Sequence, residues 1–312
     1  MTRIFASAAL RVLFVLAGSA VTTFALLWNA PGDPALAIAM ARFEAVVSTE
    51  VVEQIRAETG LDGGFWRAFG GWVHPLLAGD LGRSSVTGRE VLPDLISAIA
   101  YTVPLALAGL AIALVIALPL AIVSTRSPGG PLDKLAIAIA SLGTAIPAYW
   151  LGLLLILLFA VQLHWLPAMG ASTPAHIILP ATTLGLGVAA ALTRIIRSGI
   201  LEASEQSFLP AFRRRKISER IIARAHIAPH AAIPVITVIG LELAFVLEGA
   251  VMVEVIFSRP GLGTFLVDAI KARDFPQVQA VVLLAAMVFA VLNLLVDLVY
   301  RLIDPRIGQH HA

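Results

Sequence analysis

Six apolar runs alternate with polar segments along the chain, at residues 8–29, 99–123, 135–163, 177–196, 232–256 and 278–300. Each is close to or above the roughly 20 residues that an α-helix needs to cross a bilayer, so the pattern predicts six transmembrane helices. The first run has Arg3 before it and Arg11 inside it, as a signal peptide would. It is long for a signal core and no small-residue cleavage pattern follows, so it reads as a retained span. The third is interrupted at Ile146-Pro147. Proline lacks the backbone donor that a helix interior uses, which predicts a kink there. The fourth holds Gly185, Gly187 and many alanines, small residues that allow helices to approach closely.

The polar segments differ in kind. Residues 31–98 form the longest, with a helix-like stretch at 48–59, aromatic residues at Phe65, Trp66, Phe69 and Trp72, and more acidic than basic groups. They read as a small extramembranous cap whose aromatics pack it on the membrane interface. Residues 257–277 are amphipathic and predict a segment at the membrane surface. Residues 194–231 carry Arg194, Arg197, Arg213, Arg214, Arg215, Lys216, Arg220 and Arg224 against Glu202, Glu205 and Glu219, with apolar residues interleaved. Such a segment cannot sit in hydrocarbon and reads as a structured loop that meets a partner.

Lysine and arginine in short loops favour the cytoplasmic side. With six spans, that side collects both termini, the loop at 124–134 and the basic loop at 194–231, which predicts N-in, C-in topology. Residues 1–30 are then the N-terminus and first span, 31–98 the outer cap, and 99–312 a five-helix core.

Composition agrees. Apolar residues make up 59% and charged residues 13%, with a mean hydropathy of +0.90. Soluble domains are nearer half apolar and a quarter charged, so the class is an all-α polytopic membrane protein. There is no cysteine, which excludes disulfides and thiol catalysis. No Gly-Lys dipeptide occurs, so the phosphate-binding loop that needs one is absent. No H-E-x-x-H or G-x-S-x-G motif is present. His226 and His230 are four apart, but Pro229 lies between them and no third ligand appears, so they read as a surface pair; no metal site, cofactor or nucleic-acid partner is expected.

Ionisable groups inside apolar spans line cavities or find partners. Glu242 and Glu248 lie deep in the fifth run and Asp297 near the end of the sixth. They are candidates for a polar or cationic substrate path, or for structural pairing with neighbouring helices. Glu254 reads as lying near the outer interface, in contact with solvent.

The order of several short motifs resembles the permease subunits of bacterial dipeptide, oligopeptide and nickel ABC importers. The resemblance runs almost end to end. It rests on Pro31-Gly-Asp-Pro34, Gly79-Asp-Leu-Gly-Arg-Ser84 with Thr87-Gly-Arg89, Ala145-Ile-Pro-Ala-Tyr-Trp-Leu-Gly152, Leu179-Pro-Ala-Thr-Thr-Leu-Gly185, Gly249-Ala-Val-Met-Val-Glu254, Phe257-Ser-Arg-Pro-Gly-Leu-Gly263 and Asp304-Pro-Arg306. It implies the type I importer permease fold in the cytoplasmic membrane, a second homologous permease, two cytoplasmic ATPases and an external solute-binding protein. It also implies that the basic loop holds a coupling helix, the so-called EAA motif, which docks in a groove of the ATPase. That helix would span about 208–219 and involve Phe208, Leu209, Phe212, Arg213, Arg215, Lys216, Ser218 and Glu219, with apolar anchors entering the groove and basic residues setting register. Arg214 and Lys216 depart from the small residue and glycine usual near the motif's end. Peptides lead the expected substrates, followed by nickel or a metal chelate, and Glu242 and Glu248 favour a cationic group. The competing reading is a self-contained, ion-coupled secondary transporter using Glu242, Glu248 and Asp297. Such folds commonly show inverted repeats, and none is visible.

Overall fold

The computed structural model describes residues 2–43 and 47–303. Among these residues thirteen α-helices succeed one another: α1 (Thr2–Trp28), α2 (Pro34–Phe43), α3 (Thr49–Glu58), α4 (Phe65–Leu77), α5 (Val91–Thr125), α6 (Pro131–Ala145), α7 (Ala148–Leu155), α8 (Ile178–Ser204), α9 (Leu209–Arg214), α10 (Glu219–Ile222), α11 (Ala228–Ile256), α12 (Leu262–Lys271) and α13 (Phe275–Ile303). A π-helical stretch, Ile156–Gln162, extends α7, and another, Ala223–Ile227, leads into α11. No strand occurs among the described residues; Arg83 and Glu90 form an isolated antiparallel bridge.

Among the described residues four helical segments are long and apolar enough to cross a membrane: Leu10–Trp28, Val91–Thr125, Pro174–Ser204 and Phe275–Leu295. A fifth candidate is the pair α6 and α7 with its π-helical extension, bent by 98°. The kink expected at Ile146-Pro147 is therefore a full break. The residue before a proline is pushed out of the α region, and Ile146 is extended (φ −84°, ψ 121°). Pro147 is extended as well (φ −61°, ψ 136°) and caps the start of α7. Two successive extended residues turn the chain through about a right angle, where one interior proline would only kink the helix. Pro104 and Pro119, by contrast, lie inside α5 without ending it.

The chain divides into two compact units. The first comprises residues 1–101 and 260–291. In it α2 and α3 bury Ala35, Ile38, Ala39, Val52 and Ile55 against each other. Asp33 accepts a hydrogen bond from the Ala35 amide at 3.0 Å and pairs with Arg56 at 2.7 Å. Phe24 of α1 meets Phe65, Phe69 and Trp72 of α4, with ring centroids 5.2–5.8 Å apart, so the cap aromatics pack largely on a helix; Trp66 alone stays well exposed. The loop Gly79–Ser84 is anchored by the buried Asp274 just before α13. That carboxylate accepts from the Ser84 hydroxyl and, at 3.1 Å, from the Ser85 amide. Val91 and Leu95 pack with Ala280 and Val281.

The second unit comprises residues 102–259 and 292–312. One core joins Leu105, Leu184, Val253 and Phe257. The other sets Ala113, Ala117 and Ala121, spaced by four along α5, against Ala189, Leu192 and Ile196 of α8. Small residues at that spacing let backbones approach. The closest approach is at Gly185, where a Cβ would lie 2.8 Å from the Gly109 carbonyl oxygen. A backbone oxygen cannot move aside alone, so Gly185→Ala is expected to cost about 1–3 kcal/mol by overpacking. Gly187 has nothing within 4 Å of its would-be Cβ. Thermal unfolding in detergent should show a lowered midpoint for Gly185→Ala and none for Gly187→Ala; equal midpoints would refute the close approach.

Candidate functional site

The basic loop folds into a hook between α8 and α11. Helix α8 runs on to Ser204, well beyond the apolar stretch. After a short turn Phe208 leads into α9, whose first turn holds Pro210, where a missing donor costs nothing. The single coupling helix expected over 208–219 is two short helices instead. Helix α9 stops at Arg214, and Lys216 turns the chain with φ at 56°. The Lys216 amide donates to the Arg213 carbonyl at 3.0 Å and the Ile217 amide to the Phe212 carbonyl at 3.2 Å. Ser218 is extended and starts α10. Its carbonyl accepts from the Ile221 and Ile222 amides, and its side chain is exposed. Arg213 and Glu219 close the turn with a 2.9 Å bond between largely exposed groups, worth under about 1 kcal/mol.

The hook turns most of its large apolar side chains inward, Ile221 excepted. Leu209 and Ile222 are fully buried. Phe212 stacks on His226 with centroids 4.3 Å apart and planes 14° apart. Phe208 lies 5.6 Å from the His230 ring, and His230 Nδ1 donates to the His226 carbonyl at 2.7 Å. The two histidines thus serve as a platform for the two phenylalanines, and no cluster of metal-binding side chains exists among the described residues. Arg213, Arg214, Arg215, Lys216, Arg220 and Arg224 are exposed.

Arg197 leaves the basic surface. It is partly buried and makes a two-point contact with Asp133 at 2.6 and 2.7 Å. Asp133 also accepts from the Ser124 hydroxyl and, at 2.7 Å, from the Gly129 amide. This cluster ties the turn between α5 and α6 to α8, about two helical turns before the hook begins. The apolar runs gave no sign of it, since Arg197 falls just past the run at 177–196 and reads with the cations of the basic loop.

Glu254 is buried, not solvated as expected. It accepts a hydrogen bond from Thr102 Oγ1 at 2.6 Å, inside the core that also takes Val253. Its neighbour in the motifs, Arg259, is buried and donates to the His176 carbonyl at 3.1 Å. Glu242 and Glu248 fall on α11 and Asp297 on α13, but their side chains lie outside the described part of the structure. The motif at 304–306 lies outside the described residues as well.

Comparison with known proteins adds three findings. Residues 113–309 match the family model described as binding-protein-dependent transport system inner membrane component. The chain is 37% identical over 277 residues to a glutathione transport system permease protein, GsiC, of Pectobacterium atrosepticum, covering 89% of each chain. It is 35% identical over 287 residues to the protein of that name in Escherichia coli strain K12, covering 92% of each. Its fold resembles those of a crystallised amino acid ABC transporter (TM-score 0.55, 20% identity, 67% of this chain and 94% of that one) and of the inward-facing MetNI methionine ABC transporter (TM-score 0.57, 18% identity, 67% and 96%).

Proposed function

The chain belongs to the family of binding-protein-dependent transport system inner membrane components and is a permease subunit of an ABC importer, and from that premise we propose that it carries small peptides, with glutathione-like γ-peptides foremost. The end-to-end likeness to permeases named for glutathione transport carries this reading. Peptides and glutathione bear an ammonium group at neutral pH, and Glu242 and Glu248 on α11, with Asp297 on α13, are the acids we assign to their path. No covalent chemistry falls to this chain. It lacks a phosphate loop, so the energy of ATP enters from separate ATPase subunits.

The topology we assign has six spans with both termini inside. Helix α11, at 29 residues, is about 43 Å long and supplies the sixth. Residues 31–98 form the outer cap and 99–312 the permease core. A second homologous permease, two ATPases and an external solute-binding protein complete the complex, and the hook in 194–231 is where an ATPase docks.

Uptake of labelled glutathione and of a labelled dipeptide into proteoliposomes holding the full complex tests this. Accumulation should need binding protein and ATP, and should vanish when the ATPase is inactivated by mutation. Uptake that persists with an inactive ATPase would favour ion coupling through Glu242, Glu248 and Asp297. Transport of neither solute would remove the peptide assignment.

A further inference from the structure

The family resemblance implies a coupling helix that offers apolar anchors to its partner, with charge setting register. The folded hook presents the reverse. Leu209 and Ile222 are fully buried, and Phe208 and Phe212 are taken up by His230 and His226. What faces outward between residues 213 and 224 is dominated by six cations, with one carboxylate, Glu219, which Arg213 already engages, and a single large apolar side chain, Ile221.

Lys216 adds an independent observation. Its φ of 56° belongs to the left-handed region, where a side chain is strained and glycine is not. A lysine held in a glycine's conformation points to a use for its side chain that outweighs the local cost.

We propose that the turn from Arg213 to Arg224 docks on an acidic rim flanking the groove of the partner ATPase, so that charge pairing rather than apolar insertion dominates the contact. This rests on the reading of 194–231 as the coupling segment. A protein rim fits better than anionic lipid headgroups. The cations Arg213 to Lys216 are held in a closed turn by the Arg213–Glu219 pair and two backbone bonds. Attraction to headgroups needs clustered charge but no fixed geometry, and the apolar residues that would enter a bilayer surface are mostly turned inward. Charge complementarity of this kind also selects among ATPases, since a basic rim would repel the hook.

The test uses the full complex in nanodiscs of neutral phosphatidylcholine and reads ATPase retention at rising salt. In the variant Arg214→Gln/Arg215→Gln/Lys216→Gly the changed side chains are all exposed and the glycine relieves the turn, so the hook keeps its fold. Retention is expected to weaken roughly tenfold at low salt. It should also lose much of the steep salt dependence that wild-type shows as the screening length shortens from about 10 Å at 0.1 M to about 3 Å at 1 M. Unchanged retention and slope would overturn the acidic rim while leaving the coupling segment in place. If the variant instead loses binding to phosphatidylglycerol vesicles with ATPase retention intact, the partner is lipid and the inference fails. If wild-type retains no ATPase even at low salt, the coupling reading falls and takes this inference with it.

Discussion

Replacing Arg197 by alanine is expected to destabilise the second unit by about 3 kcal/mol, the largest effect of any single truncation of a charged group here. The cause lies in the partner that stays behind. The Asp133 side chain is 2% exposed, and its two oxygens take Arg197, Ser124 and Gly129 together. Without the guanidinium a buried carboxylate keeps its desolvation cost and loses its countercharge. Removing both charges is a different matter. Asp133→Asn/Arg197→Met should recover most of the loss, because a buried pair contributes little net stability compared with a packed neutral replacement. The measurement is the unfolding midpoint of the purified complex, read beside uptake. Equal destabilisation by the single and double variants would show that the charge pair is not what holds the α5–α6 turn to α8.

The second large effect is local. Leu209→Asp puts a charge at a fully buried position of the hook, which costs several kcal/mol. The hook has few elements to share that cost, so it should open while the spans stay folded. Arg213, Arg214, Arg215 and Lys216 make the opened hook a ready tryptic site. Cleavage there is expected to accelerate by about 100-fold, as an opening equilibrium shifted by about 3 kcal/mol requires, with loss of ATPase retention and little change in the global midpoint. Phe212→Ala, which removes a half-buried ring stacked on His226, should give the same signs with a smaller amplitude. A global midpoint that falls as far as the hook opens would mean that the hook is not a separate cooperative unit.

The apolar runs reported the helices well because hydrophobic length is a local property. Of the six, those at 8–29, 99–123, 177–196 and 278–300 return as helices long enough to span. The run at 135–163 was legible as interrupted, but not as broken through a right angle, because the difference lies in the backbone of Ile146 as much as in Pro147. The site was legible in place and not in orientation. A basic, amphipathic loop can bury its apolar residues in a partner or in itself, and residues 208–222 alone do not say which; the histidines that decide it lie further on, at 226 and 230. The Asp133–Arg197 pair was hidden for a similar reason, since its members are 64 residues apart. Glu254 shows the limit of inferring depth from distance to a helix end: its fate is set by Thr102, 152 residues away.

The right-angle break between α6 and α7 also bears on what can lie beside this chain. At a 98° bend the last carbonyls of one helix and the first amides of the next lose their intrahelical partners. Hydrocarbon offers them nothing, so irregular backbone at membrane depth survives only against protein or beside water. Yet Thr144, Ala145 and the residues from Pro147 to Trp150 are uncovered on the isolated chain. At membrane depth, lipid would leave their backbone groups unsatisfied. A break at that depth is expected to face a companion subunit or an aqueous passage, which leaves this side of the chain as a wall for something else to complete.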